Sequence, residues 1–164
     1  MSEINHILVP TDGSQGAINA AAYAGQLAKA LGANITILCV QSDDNLLASA
    51  SASASASAWG AGEFYEGVPG GMKSVDEIRG VMEKQVQEKE LPDTSRALGE
   101  VNSEPQLVTV WGHPAEEIVK YVKENAVDLV IMGSHGRNGI KRAFLGSVSQ
   151  AVANQVDCPV TLVK

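Results

Sequence analysis

The sequence predicts a single α/β domain: a parallel β-sheet with helices packed on both faces. Three observations carry this. Five short apolar runs, at residues 4–9, 35–40, 107–110, 129–132 and 160–163, are rich in β-branched residues. Most are continuous rather than alternating, as strands covered on both faces read. Segments with helical periodicity separate them, and strands alternating with helices give a parallel sheet with right-handed crossovers.

Each element has its own signals. Ala24, Leu27, Ala28 and Leu31 follow i, i+3, i+4, i+7 spacing, and Gly32 follows them as a helix-ending glycine. Ser74 and Glu77 have capping-box spacing and predict a helix running to about Glu90. Ala115, Ile118, Val119 and Val122 form a second stripe, opened by Pro114 with Glu116 and Glu117 just inside. Val148, Ala151, Val152 and Val156 form a third, after Gly146.

The 164 residues suit one domain, 1–164, with one core. They are 45% hydrophobic but only 4% aromatic, so the core is aliphatic. Residues 42–73 break the pattern. Positions 48–58 alternate Ala and Ser without interruption, and glycines at 60, 62, 67, 70 and 71 follow. This composition offers little apolar anchoring and reads as a flexible insert, either a tolerated surface insertion or a lid using Trp59, Phe64 and Tyr65.

The net charge of −7 argues against nucleic-acid and anionic-membrane partners. It leaves room for a nucleotide, because a phosphate site can be built from main-chain N–H groups and one local cation. No apolar stretch nears the roughly 20 residues of a membrane span. Residues 1–6 lack the basic start and apolar core of a signal peptide, so the expected location is cytoplasmic. Cys39 and Cys158 read as reduced core thiols, and no His, Cys and carboxylate set has metal-site spacing.

In a parallel sheet of this kind ligands bind beyond the carboxyl ends of the strands, where strand order reverses. Pro10-Thr11-Asp12-Gly13-Ser14 follows the first strand. Asp12 there can accept hydrogen bonds from ribose hydroxyls, or Asp12 or Ser14 can simply cap the first helix. Gly133-Ser134-His135-Gly136-Arg137-Asn138-Gly139 follows the fourth, and Gly146-Ser147-Val148 opens the last helix. Such glycines let main-chain N–H groups approach an anion, the helix start favours a phosphate, Ser147 adds a hydroxyl and Arg137 a charge. The P-loop pattern G-x-x-x-x-G-K-[ST] is absent, as is G-x-G-x-x-G after the first strand. His135 reads as a loop residue facing solvent, Trp111 as a packing residue, and no residue stands out as catalytic.

Together these segments resemble the universal stress protein family. Gly133, two residues, Gly136, nine residues, then Gly146-Ser147 is similar to that family's nucleotide-binding glycine signature. Pro10-Thr11-Asp12-Gly13-Ser14 looks like its N-terminal motif, and Asp157-Cys158-Pro159-Val160 resembles its entry into the last strand. The likeness covers residues 1–41 and about 106–164, and the middle departs from it. It implies an adenine nucleotide alpha hydrolase-like, Rossmann-like sheet of order 3-2-1-4-5, with ATP, or AMP or ADP, between the ends of strands 1 and 4. Pro10, Thr11 and Asp12 would border the adenosine, with Val40 against adenine and Met132 and Gly133 beneath. Gly136, Arg137, Gly146, Ser147 and Val148, with Gly139 in the same loop, would surround the phosphates, which could carry magnesium or manganese. The resemblance also implies a homodimer through strand 160–163. The expected function is a nucleotide-responsive stress regulator with an unidentified protein partner. A weak ATPase or nucleotide-transfer enzyme, and a dimeric scaffold without nucleotide, are the alternatives.

Overall fold

The structure, a computed structural model, describes residues 3–42, 75–136 and 145–164. Of the insert expected at 42–73, residues 43–73 lie outside the described residues and Ser42 is buried; Ser74 of the expected capping box, Arg137 and Gly139 also lie outside them. Strand β1 (His6–Thr11) leads through α1 (Gln15–Leu31) to β2 (Asn34–Gln41). After the insert come α2 (Val75–Gln85), a π-helical turn (Val86–Glu90) and α3 (Leu91–Ala97). Then follow β3 (Gln106–Trp111), α4 (Pro114–Glu124), β4 (Leu129–Gly133), α5 (Ser147–Gln155) and β5 (Val160–Val163). The five strands are parallel, as the sequence pattern predicts, in the order β3-β2-β1-β4-β5 that the family resemblance implies.

Alternation along the strands divides the core into two layers. Ile7, Val9, Ile35, Ile37, Cys39, Leu129 and Ile131 face α1 and α3; Leu8, Leu38, Val130 and Met132 face α4 and α5. Helix α1 meets the sheet through Ala17, Ala20, Ala21, Ala24 and Ala28, a face small enough for close approach. Leu31, expected on that face, is 49% exposed, since the last turn carries it past the sheet. Helix α4 buries all four residues of its predicted stripe, Ala115, Ile118, Val119 and Val122. Burying an aliphatic side chain of this size contributes about 1.5–3 kcal/mol.

The caps follow the sequence signals at α1. Ser14 Oγ accepts from Ala17 N at 3.3 Å, and Gly32 closes the helix at φ 73°. The helix expected to end near Glu90 instead continues to Ala97. Pro92 suggests a stop there. The π-helical turn resolves the conflict, because it restarts the helix so that Pro92 falls in a first turn, where its missing N–H costs nothing.

The amino-terminal end of the sheet is pinned by polar groups. Asp128 Oδ2 accepts from Asn5 N and His6 N, both at 2.9 Å, while Asp128 N donates to His6 O. His6 Nδ1 lies 3.1 Å from Asn125 O and therefore donates to it, which leaves Nε2, 2.9 Å from Thr36 Oγ1, to accept in the neutral ring. A residue outside every motif thus ties β1 to β2 and to the turn before β4.

Candidate functional site

The switch in strand order falls between β1 and β4. Strand β1 pairs with β2 at all six of its positions but with β4 only at Ile7↔Leu129 and Leu8↔Val130. Beyond Leu8 the two strands part. Pro10, which lacks a donor for a central ladder, sits where the β4 pairing has ended. At this switch Pro10, Thr11 and Asp12 follow β1's paired stretch on one side, and Met132, Gly133 and the following turn lie at the end of β4 on the other.

Glycine brings the two sides together. A Cβ on Gly133 would lie 2.8 Å from Gly16 C, and one on Gly16 would lie 3.0 Å from His135 O. The first turn of α1 therefore rests on the end of β4 with no room for a methyl group. A Cβ on Gly136 would lie 2.9 Å from Asp12 Oδ2, so the post-β4 turn passes directly over the carboxylate. Asp12 Oδ1 accepts from Ser14 N at 3.0 Å, which orients the side chain. Of the two capping candidates, Ser14 caps the helix, while Asp12 bonds the Ser14 main chain.

The last helix closes the arrangement. Gly146 N and Ser149 Oγ both donate to Ser134 O, at 2.8 and 3.1 Å, and Ser134 N donates to Val163 O at 2.8 Å. These bonds set the start of α5 against the turn after β4. Gly146 is its N-cap and supplies no side-chain acceptor, and the first turn carries no acidic residue. Exposed Ser147 and half-buried Val148 begin the helix. Uncapped first-turn N–H groups and the positive end of the helix dipole favour an anion.

Other predicted residues take definite places. Thr11 is buried, and its hydroxyl turns to the α3 face, 2.9 Å from Thr94 Oγ1, so only its main chain borders the crevice. Val40 is half-buried near the end of β2, opposite Val110. Met132 is buried in the α4–α5 layer and Gly133 beneath α1. His135 departs from expectation. It is half-buried, folds back so that Nδ1 lies 2.9 Å from Ser134 Oγ, and its Nε2 is shielded from solvent. Gly16 was not marked by sequence reasoning, although a glycine in a first helical turn signals close packing. A separate cleft of about 360 Å³ lies on the α1–α3 side, lined by Gly13, Ile18, Gln85, Lys89, Glu90, Asp93 and Arg96.

Both cysteines are free thiols, Cys39 buried and Cys158 half-buried. Burial pushes the Cys158 thiol up; a main-chain hydrogen bond opposes this, and the Asp128 and Asp157 carboxylates add to it. Among the described residues no His, Cys, Asp or Glu group could hold a metal ion, and no helix is long and apolar enough to cross a membrane.

The universal stress protein family model matches residues 3–61 and 62–164. The chain belongs to the universal stress protein family. It is 32% identical to universal stress protein YxiE of Bacillus subtilis over 160 residues, 98% of this chain and 99% of that one. It is 36% identical to universal stress protein MJ0577 of Methanocaldococcus jannaschii over 101 residues, 60% and 62% of the two chains. The MJ0577 structure shares this fold with a TM-score of 0.75 at 24% identity, covering 99% of this chain and 97% of that one. A universal stress protein in complex with cAMP superposes with a TM-score of 0.58 at 23% identity, covering 99% and 98%. One from Archaeoglobus fulgidus in complex with dAMP gives 0.56 at 17%, covering 99% and 100%.

Proposed function

We propose that this universal stress protein binds an adenine nucleotide, ATP by preference, between the carboxyl ends of β1 and β4, and acts as a nucleotide-responsive regulator. The observation that carries the reading is the convergence at the parted strands: the Asp12 carboxylate, the glycine turn over it and the uncapped start of α5. Asp12 is placed for a donor such as a ribose hydroxyl. Pro10, the Thr11 main chain and Val40 border the nucleoside, and Met132 and Gly133 lie under it. Gly136, Ser147 and Val148 supply main-chain N–H groups to the phosphates, and Gly146, whose own N–H is held by Ser134 O, sets the start of α5 beside them. Arg137 and Gly139 complete that loop in this proposal, which places them in the glycine signature of the ATP-binding subgroup. Magnesium or manganese would ride on the phosphates, consistent with the lack of a protein cage among the described residues. The relatives solved with cAMP and dAMP support an adenine ligand.

Calorimetric titration with ATP, cAMP and dAMP tests the reading. Saturable binding, tightest for ATP and weakened at least tenfold by Asp12→Ala, is the expected result. Indifference to all three adenylates by a folded protein refutes it and favours the scaffold.

A further inference from the structure

The turn after β4 hinges on a residue whose polar atoms are all engaged. Ser134 is buried. Its N–H donates to Val163 O, and its hydroxyl lies 2.9 Å from His135 Nδ1. Its carbonyl accepts twice, from Gly146 N at 2.8 Å and from Ser149 Oγ at 3.1 Å. That carbonyl therefore joins the turn to α5 at two points three residues apart, the N-cap and the third residue of the helix.

The two bonds fix different things. The Gly146 bond sets how far the helix start lies from the turn. The Ser149 bond, made further along the first helical turn, sets which way that start faces. Apolar packing takes over only later, since Val152 is the first fully buried apolar residue of α5, while Ser147 is exposed and Val148 half-buried. Ser149 is the one buried side chain of that first turn, at 3% exposure. A buried hydroxyl costs free energy unless bonded, and alanine fills the place without that demand, so packing alone does not account for a serine. Gly146 leaves room for it, because a Cβ there would lie 3.2 Å from Ser149 Oγ and 3.3 Å from Ser134 O.

Resting on the proposed nucleotide site, we infer that Ser149 is a positioning residue that sets the site's preference for a phosphorylated ligand. It acts through Ser134 O, orienting the first-turn N–H groups of Ser147 and Val148 toward the phosphates. The two ends of the site meet the turn at different residues. Asp12 lies under Gly136, whereas α5 joins the turn at Ser134 and His135. The nucleoside end is therefore built without Ser149, and the phosphate end depends on it. A ligand whose phosphates reach α5 gains from the second bond, and a bare nucleoside does not.

The test compares ATP with adenosine in full-length wild-type and Ser149→Ala protein, by calorimetry for ATP and NMR titration for the weaker nucleoside. Ser149→Ala is expected to lower ATP affinity about fivefold, the scale of one lost hydrogen bond, and to leave adenosine affinity within about twofold of wild type. Ser149→Thr, which keeps the hydroxyl, should restore ATP affinity. The Gly146 amide resonance, which reports the other bond to Ser134 O, should move in ligand-free Ser149→Ala and return in Ser149→Thr. Unchanged ATP affinity in folded Ser149→Ala, or equal losses for ATP and adenosine, overturns the inference and leaves the nucleotide reading standing. Wild-type protein that binds neither ligand overturns the nucleotide reading and the inference with it.

Discussion

At the scale of single residues, glycine and small polar groups do most of the positioning. A Cβ on Gly25 would sit 1.9 Å from Leu98 O, closer than any real contact, because α1 and the end of α3 touch there. Gly25→Ala is expected to destabilise the protein by at least the 1–3 kcal/mol typical of overpacking, read from the midpoint of urea unfolding. Ser14→Ala removes a helix cap and should cost about 1 kcal/mol in the same assay. The Cys158 thiol, held above its ordinary range mainly by burial, should react with iodoacetamide at pH 8 more slowly than an exposed cysteine. Because the unfolded chain loses this proton first, Cys158 makes stability fall as pH rises through the ordinary thiol range. Cys158→Ala should flatten that decline. Ser14 was legible as a cap residue because its chemistry is local. Gly16 and Gly25 were not, because the atoms that exclude their side chains come from distant parts of the chain.

At the scale of elements, every strand was readable from apolar runs, and the edges of all but β5 moved by a residue or two. The clear failure was the end of the second helical segment. Pro92 is a stop signal in the sequence, and only the widened turn before it explains why the helix goes on. That turn exists where Val86, Glu90, Leu91 and Thr94 all face inward, a spacing set by what lies across from them on β1 and β2. Likewise His135 read as an exposed loop side chain, but its neighbour Ser134 offers a hydroxyl that holds the ring inward. Local pattern gives the presence of an element; the partner element decides its length and the fate of its side chains.

At the scale of the whole molecule, β5 is an edge strand of four apolar or small residues, each half-exposed. The carbonyls of Pro159 and Val163 accept from Val130 N in β4 and from Ser134 N just after it, so the main-chain groups of Val160 and Leu162 point the other way, off the edge. The proposed dimer would pair there and cover that edge. Sedimentation equilibrium should then give twice the chain mass of 17.1 kDa. In hydrogen exchange the Leu162 amide should be protected in the dimer and exchange rapidly once dilution separates the subunits. A monomer at all concentrations would refute the pairing. Strand order was available from the family likeness, whereas residues 42–105 do not resemble a typical member closely, and alternating Ala and Ser offer too little apolar contrast to place an element.

The pinned base and parted top of β1 and β4 give the sheet a wedge with its vertex at Leu8 and Val130. In a wedge, a shift of a few tenths of an ångström near the vertex becomes a larger change of gape at the mouth. Asp128 grips the strands on the far side of that vertex from the proposed nucleotide site. Asp128→Ala is therefore expected to shift adenylate affinity in calorimetric titration without removing any contacting atom.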